Sequence, residues 1–174
     1  MSAVPLPPGV PGIRALLTTY PDTAGPLMAL AQSLLRGPSP LTQGHRELLA
    51  TAVSAVNGCV YCSQTHGAAA RALLGEQADW VDAVLAGGLP DDAKLAALVA
   101  VARQTALSVA GASSESLAAA RVAGAIDREI HDTVLIAAAF CLYNRYVDGL
   151  GTSVPADPSD YAAIGARLAR FGYQ

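Results

Sequence analysis

An all-α domain is the fold this sequence predicts, on three observations. Alanine is its commonest residue, and aromatic residues make up only 5%. No segment alternates apolar and polar residues with a period of two over a useful length. Apolar residues recur instead at helical spacing, in segments bounded by Gly, Pro and Asx punctuation. Residues 1–12 (MSAVPLPPGVPG) are Pro-rich and read as an extended arm. Asp22 then caps a helix that runs to about Leu35 and breaks at Gly37-Pro38-Ser39-Pro40. Thr42 caps the next, which reaches about Val56 before the Asn57-Gly58 turn signal. Cys59 to about Leu74 is helical and stops at Gly75. Gln77 to Leu85 is shorter and stops at Gly87-Gly88. Asp91-Asp92 open a helix to about Thr105, with Leu95, Leu98, Val99 and Ala102 in one stripe. Ser114 starts another, to about Ala123, stopped by Gly124. Asp127 opens the longest, through about Val147, with Ile130, Val134, Leu135, Ala138, Cys141 and Leu142 as a core or interface stripe. Pro158 to Phe171 is the last.

At 174 residues the chain reads as a single domain, 1–174, large enough to bury a core without disulfides or metal. Hydrophobic residues make up 52%, charged residues 14%, and the mean hydropathy is +0.36, which excludes disorder and a charge-rich coiled coil. The strongest apolar stretch, Val134 to Tyr143, is half the ~20 residues a spanning helix needs, so no membrane role is expected. Four prolines precede the first arginine, Arg14, unlike a signal peptide, and a cytoplasmic location is expected. The net charge of −3 and the lack of any Lys/Arg cluster argue against nucleic acid. Low charge with high hydrophobicity suits an obligate homo-oligomer, whose interfaces resemble a core cut in half.

The chemistry concentrates in Glu47-x11-Cys59-Val60-Tyr61-Cys62-Ser63-Gln64-Thr65-His66. Cys59 and Cys62 lie one helical turn apart, at a helix start whose free N–H groups favour a thiolate. Two such thiols can close a disulfide after peroxide oxidises one to a sulfenic acid. His66, four residues after Cys62, shares its face and can take the thiol proton. If the chain reverses at Asn57-Gly58, Glu47 and His66 reach similar heights on antiparallel helices, at roughly 15 and 12 Å from the turn. Glu47 can then orient His66 as the third member of a relay. Cys62 lies nearer the turn, so a bridging water or a tilted crossing is needed to join it.

With the upstream glutamate, Glu-x11-Cys-x2-Cys-x3-His resembles the motif of the alkylhydroperoxidase D-like proteins, within the carboxymuconolactone decarboxylase superfamily. Leu41-Thr42-x3-Arg46-Glu47-Leu48, Ser54-x2-Asn57, Pro11-Gly12-Ile13 and Tyr143-Asn144-Arg145 resemble its peroxidase-related branch, so the likeness spans about residues 5–151. The resemblance implies a compact helical domain assembled as a trimer, a hexamer or a related form. It implies a thiol peroxidase whose C-x-x-C cycles between dithiol and disulfide, served by a thiol or dithiol reductant protein. It assigns attack to Cys62, resolution to Cys59, and the proton relay to His66 and Glu47; spacing alone leaves the order of the cysteines open. One position departs: the best-known branch has a second histidine directly before the second cysteine, and here it is Tyr61, a poor base near neutral pH. The superfamily's namesake decarboxylation needs no thiols, so the C-x-x-C argues against it.

No G-x-G-x-x-G occurs, so direct use of a nicotinamide is not expected and reducing equivalents would come from a partner; no cofactor is expected. Two other readings are a zinc module using Cys59, Cys62 and His66 with Glu47 or His45, and a non-enzymatic oligomer with idle cysteines. Cys141 reads as a buried structural thiol, His131 as a surface residue, Arg145 as a solvated helix-end residue and Trp80 as a packing anchor.

Overall fold

A computed structural model describes residues 2–173, and among them there are nine α-helices and no strand. The helices are α1 (Ile13–Thr19), α2 (Pro21–Arg36), α3 (Gln43–Val56), α4 (Val60–Leu74), α5 (Asp79–Leu85), α6 (Ala93–Leu107), α7 (Ser114–Val122), α8 (Asp127–Gly149) and α9 (Asp160–Phe171). None is long and apolar enough to cross a membrane.

Local chemistry sets most of the boundaries. Thr42 accepts from the His45 N–H at 3.1 Å and Asp92 from the Leu95 N–H at 2.7 Å, each satisfying a free donor of a first turn. Ser113 does the same for α7. The Glu129 carboxylate reaches back to the Ile126 N–H at 2.9 Å, so the start of α8 is held from inside the helix. Asp22 is not a cap: Pro21 already begins α2, and Asp22 lies in its first turn, where the dipole favours an acid. α1 was not expected at all; it is a seven-residue helix directly after the Pro-rich arm, too short to carry a periodic signal. The arm itself is non-helical and tied to the segment after α8, through Ala3 N–H to the Leu150 carbonyl at 2.9 Å and Gly12 N–H to that of Ser153 at 2.8 Å.

α3 and α4 form the central antiparallel pair, with α9 crossing α4 and with α6 and α8 packed on α3. α3 is buried almost along its length, from Arg46 through Ser54. Arg46, at 4% exposure, turns its guanidinium to the end of α2, donating to the carbonyls of Leu34 and Gly37 at 2.9 Å each. That contact satisfies last-turn acceptors that would otherwise be orphaned. α4 and α9 meet through Gly165, where a Cβ would lie 2.5 Å from the Ala68 backbone, so only glycine allows this approach.

α8 divides the expected core-or-interface stripe: Ile130 is buried and Val134 packs against the core. Its buried face runs through Ile136, Ala137, Phe140, Tyr143, Asn144 and Val147, whereas Leu135, Ala138 and Leu142 face outward. The stretch from Val134 to Tyr143 is apolar around most of the helix, so periodicity cannot choose the face. Cys141 packs against the core and is partly rather than fully buried, with its sulfur 3.5 Å from the Asn57 side-chain nitrogen. His131 and Arg145 are exposed as expected, and Trp80 packs against the core.

Candidate active site

The site begins at the turn between α3 and α4. Asn57 ends α3, and Gly58 takes a φ of +75°, the left-handed conformation that glycine adopts freely. The Asn57 amide donates to the Asn144 side chain of α8 at 2.8 Å, and Asn144 donates to Ser54 at 3.1 Å, which locks the turn to the core. Cys59 follows as the extended residue capping α4, and Cys62 lies in the first turn. That helix end favours negative charge.

No disulfide joins the two cysteines. Cys59 is fully buried, and its thiol is pushed far above the ordinary value, first by its hydrogen bond to Cys62, then by burial and by the Cys62 charge. Cys62 lines a cavity of about 360 Å³, whereas Cys59 is not part of that lining. The two sulfurs therefore differ in access: one faces the cavity, the other waits behind it.

His66 lines the same cavity. Its Nδ1 lies 2.8 Å from Glu47 Oε2, a contact that joins α4 to α3 across the antiparallel pair. Glu47 has no solvent exposure, yet its second oxygen is also engaged: Arg36 Nη2 donates to Oε1 at 2.6 Å and the Tyr173 hydroxyl at 2.7 Å. Burial alone would raise the Glu47 carboxyl. The His66 hydrogen bond, the His66 and Arg36 charges and the Tyr173 hydroxyl outweigh it and hold the group below its usual 4.5. The carboxylate thus fixes His66 through Nδ1, which also lies 3.1 Å from the Tyr173 hydroxyl, and Nε2 has no hydrogen-bond partner among the described residues. Phe140 meets the imidazole edge-on at 4.6 Å and Tyr173 lies nearly parallel to it at 6.0 Å, so the ring is fixed on both sides.

Tyr61 is buried beside Cys62 and lines the cavity as well; burial, and then the Cys62 charge, push its phenol up to about 12. Such a group can donate a hydrogen bond but cannot serve as a base near neutral pH. Its ring lies against Gly12, where any Cβ would overlap it, so the arm and the first turn of α4 fit through a glycine.

The four residues singled out from sequence thus assemble at one place: Glu47 contacts His66, His66 and Cys62 share a cavity, and Cys59 packs in one buried cluster with Cys62. Two members of the site escaped sequence reading. Arg36 lies in the last turn of α2, where nothing in the local sequence ties it to Glu47. Tyr173 reaches Glu47 from the far C-terminus, across 126 positions; no local pattern marks it. Among the described residues no group of three His, Cys, Asp or Glu side chains is placed to hold a metal ion, and His45 lies instead against the Trp80 ring, centroids 6.3 Å apart.

The model of the carboxymuconolactone decarboxylase family matches residues 21–104, which include the whole motif. The fold is similar to that of a solved structure described as an alkylhydroperoxidase AhpD core, an uncharacterized peroxidase-related protein from Ralstonia eutropha JMP134. The TM-score is 0.77 and the identity 25%, over 90% of this chain and 82% of that one. An uncharacterized peroxidase-related protein from Silicibacter sp. TM1040 matches with a TM-score of 0.74 and 25% identity, over 85% of this chain and 78% of its own. A protein of unknown function from Agrobacterium tumefaciens shares the fold at 21% identity, with a TM-score of 0.67 over 82% of this chain and 97% of its own. No curated protein matches the sequence.

Proposed function

We propose that this chain, by its likeness to the carboxymuconolactone decarboxylase family and to peroxidase-related, alkylhydroperoxidase D-like structures, is a thiol-dependent peroxidase cycling Cys59 and Cys62 between dithiol and disulfide. One observation carries the reading: Cys62 and His66 line one cavity, His66 is anchored on a buried carboxylate, and the second thiol sits behind the first.

The proposed cycle needs these groups, a hydroperoxide as oxidant and a dithiol as reductant. His66 takes the Cys62 proton. The thiolate attacks the terminal oxygen of a hydroperoxide; an S–O bond forms, the O–O bond breaks, and Cys62 becomes a sulfenic acid. The leaving alkoxide takes the proton back from His66 and departs as an alcohol. The Cys59 thiol then displaces hydroxide from the sulfenic sulfur, giving the disulfide and one water. A dithiol partner restores both thiols by exchange. The buried, raised Cys59 suits the second role: it stays protonated while Cys62 is the nucleophile.

The test is turnover of tert-butyl hydroperoxide with dithiothreitol as the reductant. Turnover by the wild type, lost in Cys62→Ser, is the expected result. Unchanged turnover in Cys62→Ser would overturn the assignment.

A further inference from the structure

The cavity in front of Cys62 carries charges that the thiol chemistry does not use. Its walls are mostly apolar, with Leu17 on α1, Leu27 and Met28 on α2, Phe140 on α8 and Ile164 on α9. At about 360 Å³ it is in the size range of sites for small organic molecules, whereas hydrogen peroxide needs little more room than a water, about 30 Å³. Two exposed arginines also line it, Arg14 on α1 and Arg167 on α9.

The chain has ten arginines. Eight have an ionic, hydrogen-bonded or aromatic partner. The two without a partner among the described residues are the two on this cavity. No aspartate or glutamate lines it, in a chain of net charge −3. An apolar pocket with two unmatched guanidiniums and no carboxylate of its own complements an amphiphile bearing an anion, and guanidinium geometry suits a carboxylate best.

We infer that the substrate is an aliphatic hydroperoxide that bears a carboxylate, an inference that rests on the thiol-peroxidase reading. The carboxylate pairs with Arg14 and Arg167, the aliphatic body lies among the apolar walls, and the hydroperoxide reaches Cys62. The reaction is the one above: the S–O bond forms on Cys62 as the O–O bond breaks, and the product that leaves, protonated by His66, is a hydroxy acid. Arg14 and Arg167 are specificity residues and touch none of the reacting atoms.

The experiment compares the single-turnover oxidation rate of Cys62 by ω-hydroperoxyoctanoate and by its methyl ester, in the wild type, Arg14→Gln, Arg167→Gln and the double variant. Both side chains are exposed, so the variants keep the core intact. The wild type is expected to react about tenfold faster with the acid, as suits a charge-assisted pair. The acid-to-ester ratio is expected to fall towards one in the double variant and to narrow at high salt. A ratio near one in the wild type, or one kept by the double variant, would overturn the inference. Calorimetry with octanoate, which carries no peroxide, separates the two claims. If neither hydroperoxide oxidises the thiols, the peroxidase reading fails. Octanoate binding that the double variant loses would then still support the carboxylate site, and no binding to the wild type would remove it.

Discussion

Replacing Glu47 by Gln keeps its shape but leaves Arg36 and His66 facing a neutral amide in the interior. Removing one partner of a buried ion pair costs about 3–5 kcal/mol, and urea unfolding of Glu47→Gln checks it. The pH dependence follows from the same group. Its carboxyl lies below 4.5 in the fold, so the ionised form stabilises the folded state. That contribution is complete above 4.5 and is lost as pH falls through the lower folded value. Wild-type stability should therefore fall on acidification with a component that Glu47→Gln lacks. Tyr173→Phe removes one donor to the same carboxylate and should cost about 1.5–3 kcal/mol, the range for a hydrogen bond to a charged group. His66→Gln keeps a polar side chain but loses the base, and Cys62 oxidation by peroxide should slow by about a hundredfold or more. Glu47 and His66 were legible because both sit at fixed offsets from the cysteines. Arg36 and Tyr173 were not, because only the tertiary fold brings them to Glu47.

Helix ends were legible wherever a side chain or a glycine does the terminating, as at Thr42, Asp92 and Gly124, since those signals act within one turn. α1 has no such signal, and the expected stripe of α8 is split between core and surface because its middle is apolar on nearly every side. The crossing of α4 and α9 was hidden for a different reason: it depends on one glycine meeting a backbone more than ninety positions away. Gly165→Ala puts a methyl group against the Ala68 backbone, and the helices must separate. Overpacking of this kind costs about 1–3 kcal/mol. A lowered melting temperature is the expected outcome, read by thermal unfolding; α9 forms one wall of the cavity in front of Cys62, so any octanoate affinity measured by calorimetry should change with it.

At the scale of the whole molecule, the apolar composition exceeds what one protomer hides: Leu135 and Leu142 lie 40% and 47% exposed along α8. The trimer or hexamer that the resemblance implies would cover that surface, and light scattering should then return a multiple of the 17.7 kDa chain mass. Leu135→Glu with Leu142→Glu should lower it; a wild-type monomer would contradict the expectation. The all-α class was legible because helical periodicity and alanine content are spread over the entire chain, whereas the cavity in front of Cys62 is made by five helices and the tail, and no window of sequence contains it. The central claim, that Cys62 attacks peroxide and Cys59 resolves it, meets its most direct test in the intact mass of the reduced protein before and after one equivalent of peroxide. The wild type should lose two hydrogens per chain, and Cys59→Ser should gain one oxygen, trapped on Cys62 as a sulfenic acid. An unchanged wild-type mass with both thiols free, or an oxygen trapped in Cys62→Ser instead, would contradict the account.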